Sequence, residues 1–173
     1  RLFQKMCMYE ESVKTPFSMR LPGKDGNGSV RKEFVSHIDI FPTICDWYGI
    51  PVPQKVNGRS LNPLITGDGT WQERPVYIQY DGNASRGNVQ RCIVWKGYKY
   101  IIDIFKNERY YELYDLKKDR QETENLLFAQ DKDRYWEIGM ELDWLLREHM
   151  LEIKDYISAE RPDFSEFVKN YSL

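Results

Sequence analysis

Residues 74–115 contain short runs rich in β-branched and aromatic side chains, separated by turn-forming residues. Such runs are typical of β-strands. They predict four strands, at residues 76–80, 89–95, 98–105 and 110–114. Lys96-Gly97 predicts a tight hairpin between the second and third strands, and residues 106–109 predict another turn before the fourth. The pattern therefore predicts a four-stranded antiparallel meander.

An apolar stripe with helical spacing follows the strands, within residues 133–150. The stripe consists of Ile138, Leu142, Leu145 and Leu146, extended by Tyr135 and His149. A second row, formed by Trp136, Met140 and Trp144, widens the apolar face and is expected to belong to the core. We therefore expect one helix to cover one face of the sheet, with Leu142 and Leu145 deeply buried.

A shorter stripe comes earlier in the chain and predicts another helix. Its apolar residues are spaced at i, i+3, i+4 and i+7, namely Phe41, Ile44, Cys45 and Tyr48. Asp39 suits the N-cap of this helix, Pro42 is tolerated in its first turn, and Gly49 is placed to end it.

Composition restricts the class of protein. The 173 residues carry 25 basic and 27 acidic side chains, for a net charge of −2, and 41% are hydrophobic. These values exclude general disorder and argue against a nucleic-acid or membrane-surface binder. No apolar run approaches the roughly 18 residues of a membrane span, and no signal peptide is visible. Because the chain starts at Arg1, we expect it to be processed or cut from a longer protein.

The usual catalytic and metal-binding motifs are absent from the sequence. No P-loop, GxGxxG, GxSxG, HExxH or EF-hand pattern occurs. Cys7, Cys45 and Cys92 form no CxxC pair and only two histidines exist, so no metal site is predicted. The cysteines are interpreted as three buried thiols, with one disulfide and a spare thiol as the alternative. The residues alone predict an α+β domain without a self-sufficient active site.

Several short motifs nevertheless occur in a defined order over about residues 1–127. They are Lys5-x-x-x-Tyr9-Glu-Glu-Ser12 with Arg20-x-Pro22-Gly23, His37-Ile-Asp-Ile-Phe-Pro-Thr43, Asn57-Gly-Arg-Ser-Leu61, Tyr98-Lys-Tyr-Ile101, and Glu112-Leu-Tyr-Asp-Leu116 with Asp119, Glu122 and Asn125-Leu126. The ordered series resembles the C-terminal third of the sulfatases. Arg120 departs from the family, which commonly has proline there.

This resemblance implies a fold and a division of the chain. Residues 1–72 would be the last segment of the large α/β, alkaline-phosphatase-like domain. Residues 73–173 would be the small C-terminal α+β subdomain, a four-stranded antiparallel sheet with a covering helix. Asp39, Asp115, Glu122 and Asn125 match family positions but are interpreted as caps and turn-fixing residues.

The resemblance also implies where the chemistry lies. Sulfatases use a formylglycine made within a C/S-x-P-x-R motif, and a calcium ion. That motif does not occur here, so formylglycine and calcium are expected upstream in the parent and none bound by this fragment. Lys5 matches the lysine that contacts the substrate sulfate. Asn83, Arg86 and Asn88 are candidate substrate-binding residues, although a plain hairpin loop is an equally open interpretation.

The function implied by the resemblance is hydrolysis of sulfate esters on a sugar or aryl substrate by the parent enzyme, the fragment alone being inactive. The alternatives are part of a phosphodiester or phosphonate ester hydrolase of the same superfamily, and a stand-alone α+β binding module. The expected partner of the parent is a sulfated small molecule or saccharide, with no nucleic acid and no membrane. Exposed apolar surface on residues 1–70 would favour self-association. The compartment is not determined by the sequence, and a periplasmic, secreted or lysosome-like parent fits the resemblance.

Overall fold

The computed structural model describes residues 6–20, 28–82, 87–106 and 108–157. Its contacts divide the chain into two compact units, one made of Arg1–Thr15 with Tyr77–Leu173 and the other of Pro16–Val76. The first unit thus joins an N-terminal segment to the sheet, although the whole second unit separates them in sequence. The sequence-based division at residues 72 and 73, between a large domain and a subdomain, stays a prediction.

The elements follow one another along the chain in a simple order. The helices are α1 (Glu10–Val13), α2 (Ile40–Trp47), α3 (Asn62–Thr66) and α4 (Trp136–Glu152), with 3-10 turns at His37–Asp39 and Lys132–Tyr135. The strands are β1 (Val76–Tyr80), β2 (Val89–Trp95), β3 (Tyr98–Phe105) and β4 (Glu108–Asp115). In the described part of the chain, no helix has the length and apolar character needed to cross a membrane.

The predicted sheet is confirmed, with strand order β1-β2-β3-β4. β2 pairs antiparallel with β3, and β3 with β4, so that Cys92, Ile101 and Glu112 lie side by side. Lys96 and Gly97 turn between β2 and β3 with φ of 53° and 84°, the left-handed conformation that a two-residue hairpin requires. β4 extends beyond the predicted 110–114 at both ends.

The first face of the sheet carries the apolar core and is covered by α4. Ile93, Tyr100 and Leu113 are completely buried there, against Leu142 and Leu146 of the helix. The predicted covering helix and the deep burial of Leu142 are therefore confirmed. Leu145, in contrast, is only half-buried at the edge of the core, so its predicted deep burial is wrong.

The second apolar row of α4 was expected in the core, and that expectation is wrong. Trp136, Met140 and Trp144 are 38%, 40% and 48% exposed. Asp143 and Arg147 are buried instead, with Arg147 Nε 2.8 Å from Asp143 Oδ2. The helix can bury this polar pair because the two charges neutralise each other and the Tyr100 hydroxyl donates to Asp143 at 3.0 Å.

The second unit contains α2, which lies where the short stripe predicts a helix. The stripe itself is largely exposed, with Phe41, Ile44 and Tyr48 at 50%, 43% and 75%. The buried side holds Cys45 and Thr43, whose hydroxyl donates to the Asp39 carbonyl and accepts from the Leu61 N–H. The apolar spacing therefore predicted the helix correctly but did not identify its buried side.

The three cysteines are free. Cys45 and Cys92 are buried, as expected of small apolar side chains, whereas Cys7 is only half-buried and departs from that expectation.

Candidate functional site

The N-terminal segment, residues 6–13, lies against the second face of the sheet, opposite α4. This face is formed by alternate residues of β2, β3 and β4, which the strand register places side by side. Its central residues are Cys92, Val94, Lys99, Ile101 and Tyr114, all buried. The segment is therefore part of the sheet unit rather than a free chain end.

A buried ionic cluster joins the segment to the sheet. The Lys99 ammonium lies 2.8 Å from Glu10 Oε1 and 2.7 Å from Glu122 Oε1, and donates to the Met8 carbonyl at 2.9 Å. Burial alone would lower the pKa of Lys99, but its hydrogen bonds to Glu10 and Glu122 outweigh burial and raise that pKa. Burial raises the pKa of Glu122, and the contact with Lys99 opposes the shift. The three residues come from three separate motifs of the sequence.

Two tyrosines extend this contact between segment and sheet. The Tyr9 ring meets the Tyr114 ring edge to face, with centroids 6.0 Å apart, and the Tyr114 hydroxyl donates to Glu112 at 2.7 Å. Burial and the neighbouring Glu112 carboxylate raise the pKa of Tyr9 to about 12. Burial and Glu112 also raise the pKa of Tyr114, so both phenols are harder to ionise than a free tyrosine.

One pocket lies between the segment and this face. Its lining contains Met6, Cys7, Met8 and Tyr9 from the segment, and Asn88, Gln90, Ile101, Asp103, Phe105, Glu108, Tyr110 and Glu112 from the sheet. Three of these are carboxylates, so the sheet side of the pocket offers hydrogen-bond acceptors and negative charge. Two of the carboxylates, Glu108 and Glu112, alternate with Tyr110 and Tyr114 at every second position of β4, and this spacing is the sequence signal that would have placed them on one face.

Asn88 is the one predicted site residue whose position the structure describes. It is buried, and its side-chain amide donates to Asp103 Oδ1 at 3.3 Å, while the Gln90 amide donates to Asp103 Oδ2 at 2.7 Å. Lys5, Asn83 and Arg86 lie outside the described residues, so their predicted roles stay predictions. The pocket is lined by Met6, which directly follows Lys5 in sequence, and by Asn88, which directly precedes β2.

The base of the β1–β2 loop is held by Arg91, which the sequence reasoning did not single out. Its buried guanidinium lies 2.7 Å from Asp81 Oδ1 and makes two contacts with Asp155, at 2.5 and 2.9 Å. Burial lowers the pKa of Arg91, but the hydrogen bonds to Asp155 and Asp81 outweigh burial and raise that pKa on balance. The sequence signal for this contact is the position of an arginine inside the apolar run at 89–95, because an arginine buried in a strand requires carboxylate partners.

Of the four family-matched polar residues, three fix local backbone by accepting hydrogen bonds from N–H groups, whereas the side chain of Glu122 joins the buried ionic cluster instead of fixing a turn as expected. Asp39 is the N-cap residue of α2 as predicted, but its carboxylate makes no capping hydrogen bond to that helix. It accepts instead from the backbone N–H groups of Ser36 and Arg59 and pairs with Arg74. Asp115 accepts from the N–H groups of the following turn. Asn125 accepts from the Leu113 N–H at 3.0 Å and so holds the segment that follows β4 against this strand.

The part of the chain that the structure describes contains no cluster of metal-binding side chains. No group of three or more histidine, cysteine, aspartate or glutamate side chains there could hold an ion. The carboxylates on the second face are engaged instead with Lys99, the tyrosines or side-chain amides. These residues therefore do not fit the calcium that the resemblance implies for the parent.

Comparison with known families decides the relationship. The model of the family described as "N-sulphoglucosamine sulphohydrolase, C-terminal" matches residues 1–152. The chain belongs to this sulfatase C-terminal family. The match includes the N-terminal segment, the second unit and the sheet with α4, so the resemblance of the ordered motifs to sulfatases is confirmed.

Curated members of the sulfatases are similar over most of the chain. An N-acetylglucosamine-6-O-sulfatase of Bacteroides thetaiotaomicron is 30% identical over 88% of this chain and 28% of its own length. A Delta 4,5-hexuronate-2-O-sulfatase of the same organism is 31% identical over 92% of this chain and 31% of its own. The chain thus spans less than a third of the length of these sulfatases.

Solved structures show the same relationship. A 2-O GAG sulfatase aligns with a TM-score of 0.59 and 33% identity over 68% of this chain and 25% of that one. A protein solved in complex with its substrate D-glucosamine-2-N,6-O-disulfate aligns with a TM-score of 0.58 and 26% identity, over 72% of this chain and 25% of that one. The α+β fold of this sulfatase C-terminal part is therefore shared with sulfatases of known structure.

Proposed function

We propose that this chain is the C-terminal part of an enzyme that hydrolyses sulfate esters on a saccharide. The family match over residues 1–152 supports the reaction class. The names of relatives that act on sulfated glucosamine and hexuronate support the saccharide. The family match is the observation that carries the proposal, and the pocket supports its location, because Met6 and Cys7, which follow Lys5, and Asn88 line it.

Lys5 is the proposed catalytic residue of this chain. An ammonium group close to the sulfuryl oxygens offsets negative charge as the ester bond breaks, and it does so without itself reacting. Asn83, Arg86 and Asn88 are proposed to contact the substrate beside it.

The charge on the sheet side of the pocket suggests how a saccharide would be oriented. In the proposed complex, Asp103, Glu108 and Glu112 would repel a sulfate group and would accept hydrogen bonds from sugar hydroxyls. A sulfated sugar would therefore direct its sulfate toward Lys5 and its uncharged hydroxyls toward the carboxylates.

The remaining parts of the enzyme are assigned to the polypeptide upstream of this chain. The proposal places the formylglycine and the calcium ligands there, since the described residues offer a metal no fitting cluster. The same resemblance supports a periplasmic, secreted or lysosome-like parent. Sequencing the gene upstream of Arg1 tests both points, because a C/S-x-P-x-R motif and a signal peptide would then be found.

The catalytic proposal is tested by Lys5→Ala in the full-length protein, with kcat for a sulfated glucosamine and the melting temperature both measured. Loss of a preorganised charge of this kind lowers kcat about 10²–10³-fold. The melting temperature should remain unchanged. Lys55→Ala is the matched control, because Lys55 is an exposed lysine of the second unit.

Two results would contradict this assignment. Near-normal kcat in Lys5→Ala would remove Lys5 from the active site. Turnover of a phosphate diester, without turnover of any sulfate ester, would favour a phospho-ester hydrolase of the same superfamily instead.

A further inference from the structure

We propose that Lys99, Glu10 and Glu122 act as an anchor that fixes the N-terminal segment on the sheet and thereby positions Lys5 for catalysis. Lys99 is then a positioning residue, since it acts through Lys5 and not on the substrate. The inference rests on the proposed role of Lys5 and adds residues remote in sequence to the same site.

The anchor holds the segment at three points. Lys99 donates to the Met8 carbonyl at 2.9 Å and lies 2.8 Å from the Glu10 carboxylate. Glu122 accepts from the Glu10 backbone N–H at 2.5 Å. Both the main chain and a side chain of the segment are therefore bound. These contacts fix the position of the backbone at residues 8–10 and the position of the Glu10 carboxylate.

Burial makes this contact costlier to break than a surface ion pair. The Lys99 and Glu122 side chains are 0% exposed, and that of Glu10 is 18% exposed. A buried charge that loses its partner is costly, whereas an exposed pair contributes little. The cluster therefore favours the bound position of Glu10, because departure of this carboxylate would leave the buried Lys99 ammonium with one carboxylate partner instead of two.

The distance along the chain links the anchor to catalysis. Met8 follows Lys5 by three residues, and three residues span at most about 11 Å. Fixing the Met8 carbonyl consequently limits where Lys5 can lie. Misplacing a catalytic group by about 1 Å can cost on the order of 10²-fold in rate.

Glu10→Gln is the variant that separates anchoring from folding. It removes one carboxylate and leaves Lys99 paired with Glu122, so that no unpaired charge remains in the sheet. Lys99→Met would instead leave two facing carboxylates and threaten the fold. Glu11→Gln is the matched control, because it makes the same change at the exposed neighbouring position.

Hydrogen–deuterium exchange of this chain tests the anchor without any enzymatic assay. The amides of Ser12, Val13 and Lys14 donate to backbone carbonyls of the segment, at Tyr9 and Glu10. In Glu10→Gln they should exchange at least tenfold faster, while the amides of β3 keep their protection and Glu11→Gln behaves as wild type. Unchanged exchange in the segment, or an equal rise in β3, would overturn the anchor.

A double-mutant cycle in the full-length protein tests the link to Lys5. Glu10→Gln alone should lower kcat about tenfold or more with a smaller change in KM. In a Lys5→Ala background it should have no further effect, because its influence passes through Lys5. Multiplicative losses would overturn the positioning role. Absence of all sulfatase activity would overturn the proposed function, and the exchange experiment would still decide whether the anchor exists.

Discussion

Three leucines of α4 allow the packing of the sheet unit to be measured with one substitution. Leu142 is completely buried, Leu145 is half-buried and Leu151 is 60% exposed. Leu→Ala removes the same atoms at each position and barely changes helix propensity. The differences among the three variants therefore report burial alone.

The expected magnitudes follow from this burial. Leu142→Ala should lower the free energy of unfolding by about 2–5 kcal/mol, because it removes apolar contacts and leaves a cavity beneath the sheet. Leu145→Ala should cost roughly 1–2 kcal/mol in proportion to its smaller buried area. Leu151→Ala should stay within about 0.5 kcal/mol of wild type.

Urea unfolding followed by circular dichroism is the appropriate assay. With an m-value of about 2 kcal/mol/M, the midpoint of Leu142→Ala should fall by roughly 1–2.5 M. Equal losses in all three variants, or a larger loss at Leu151 than at Leu142, would refute the proposed packing of α4 on the first face.

Two further predictions concern pH and association. The His149 ring stacks on the Tyr77 ring with centroids 3.8 Å apart, and burial lowers the pKa of His149 below 6.5. Folding therefore favours the neutral imidazole. Stability that is present above pH 6.5 should consequently be lost as the pH falls toward 5. In His149→Gln this slope should flatten between pH 7 and 5, and an unchanged slope in urea titrations would assign it to other groups. The exposed apolar residues of α2 should make the isolated chain self-associate, so sedimentation equilibrium should show oligomers that Phe41→Ser with Ile44→Ser reduces, whereas a monomeric wild type would contradict the expectation.

The sheet could be predicted well because its signals are local. The runs of β-branched and aromatic residues and the Lys96-Gly97 turn determine three strands to the residue. The buried side of the helices was harder to predict, because it depends on long-range partners. Asp143 and Arg147 lie in the core of the unit only because they pair with each other and with Tyr100, and no helical spacing of apolar residues indicates such a pair.

The candidate site was predictable only in part, for the same reason. The motifs containing Glu10, Lys99 and Glu122 were visible as separate blocks that resemble a family. Their meeting in one buried cluster depends on the chain bringing residue 10 beside residue 122. The alternate spacing of Glu108, Tyr110 and Glu112 predicts that these residues share one face of β4. It does not show that this face lines a pocket, because that depends on α4 covering the opposite face.

The most direct test of the sulfatase assignment is sulfate release from a sulfated glucosamine, measured with the full-length polypeptide and with residues 1–173 alone. We predict multiple turnovers by the full-length protein and none above a blank by residues 1–173. Turnover by residues 1–173 alone would contradict the account, and so would a full-length protein that releases no sulfate from any sulfate ester.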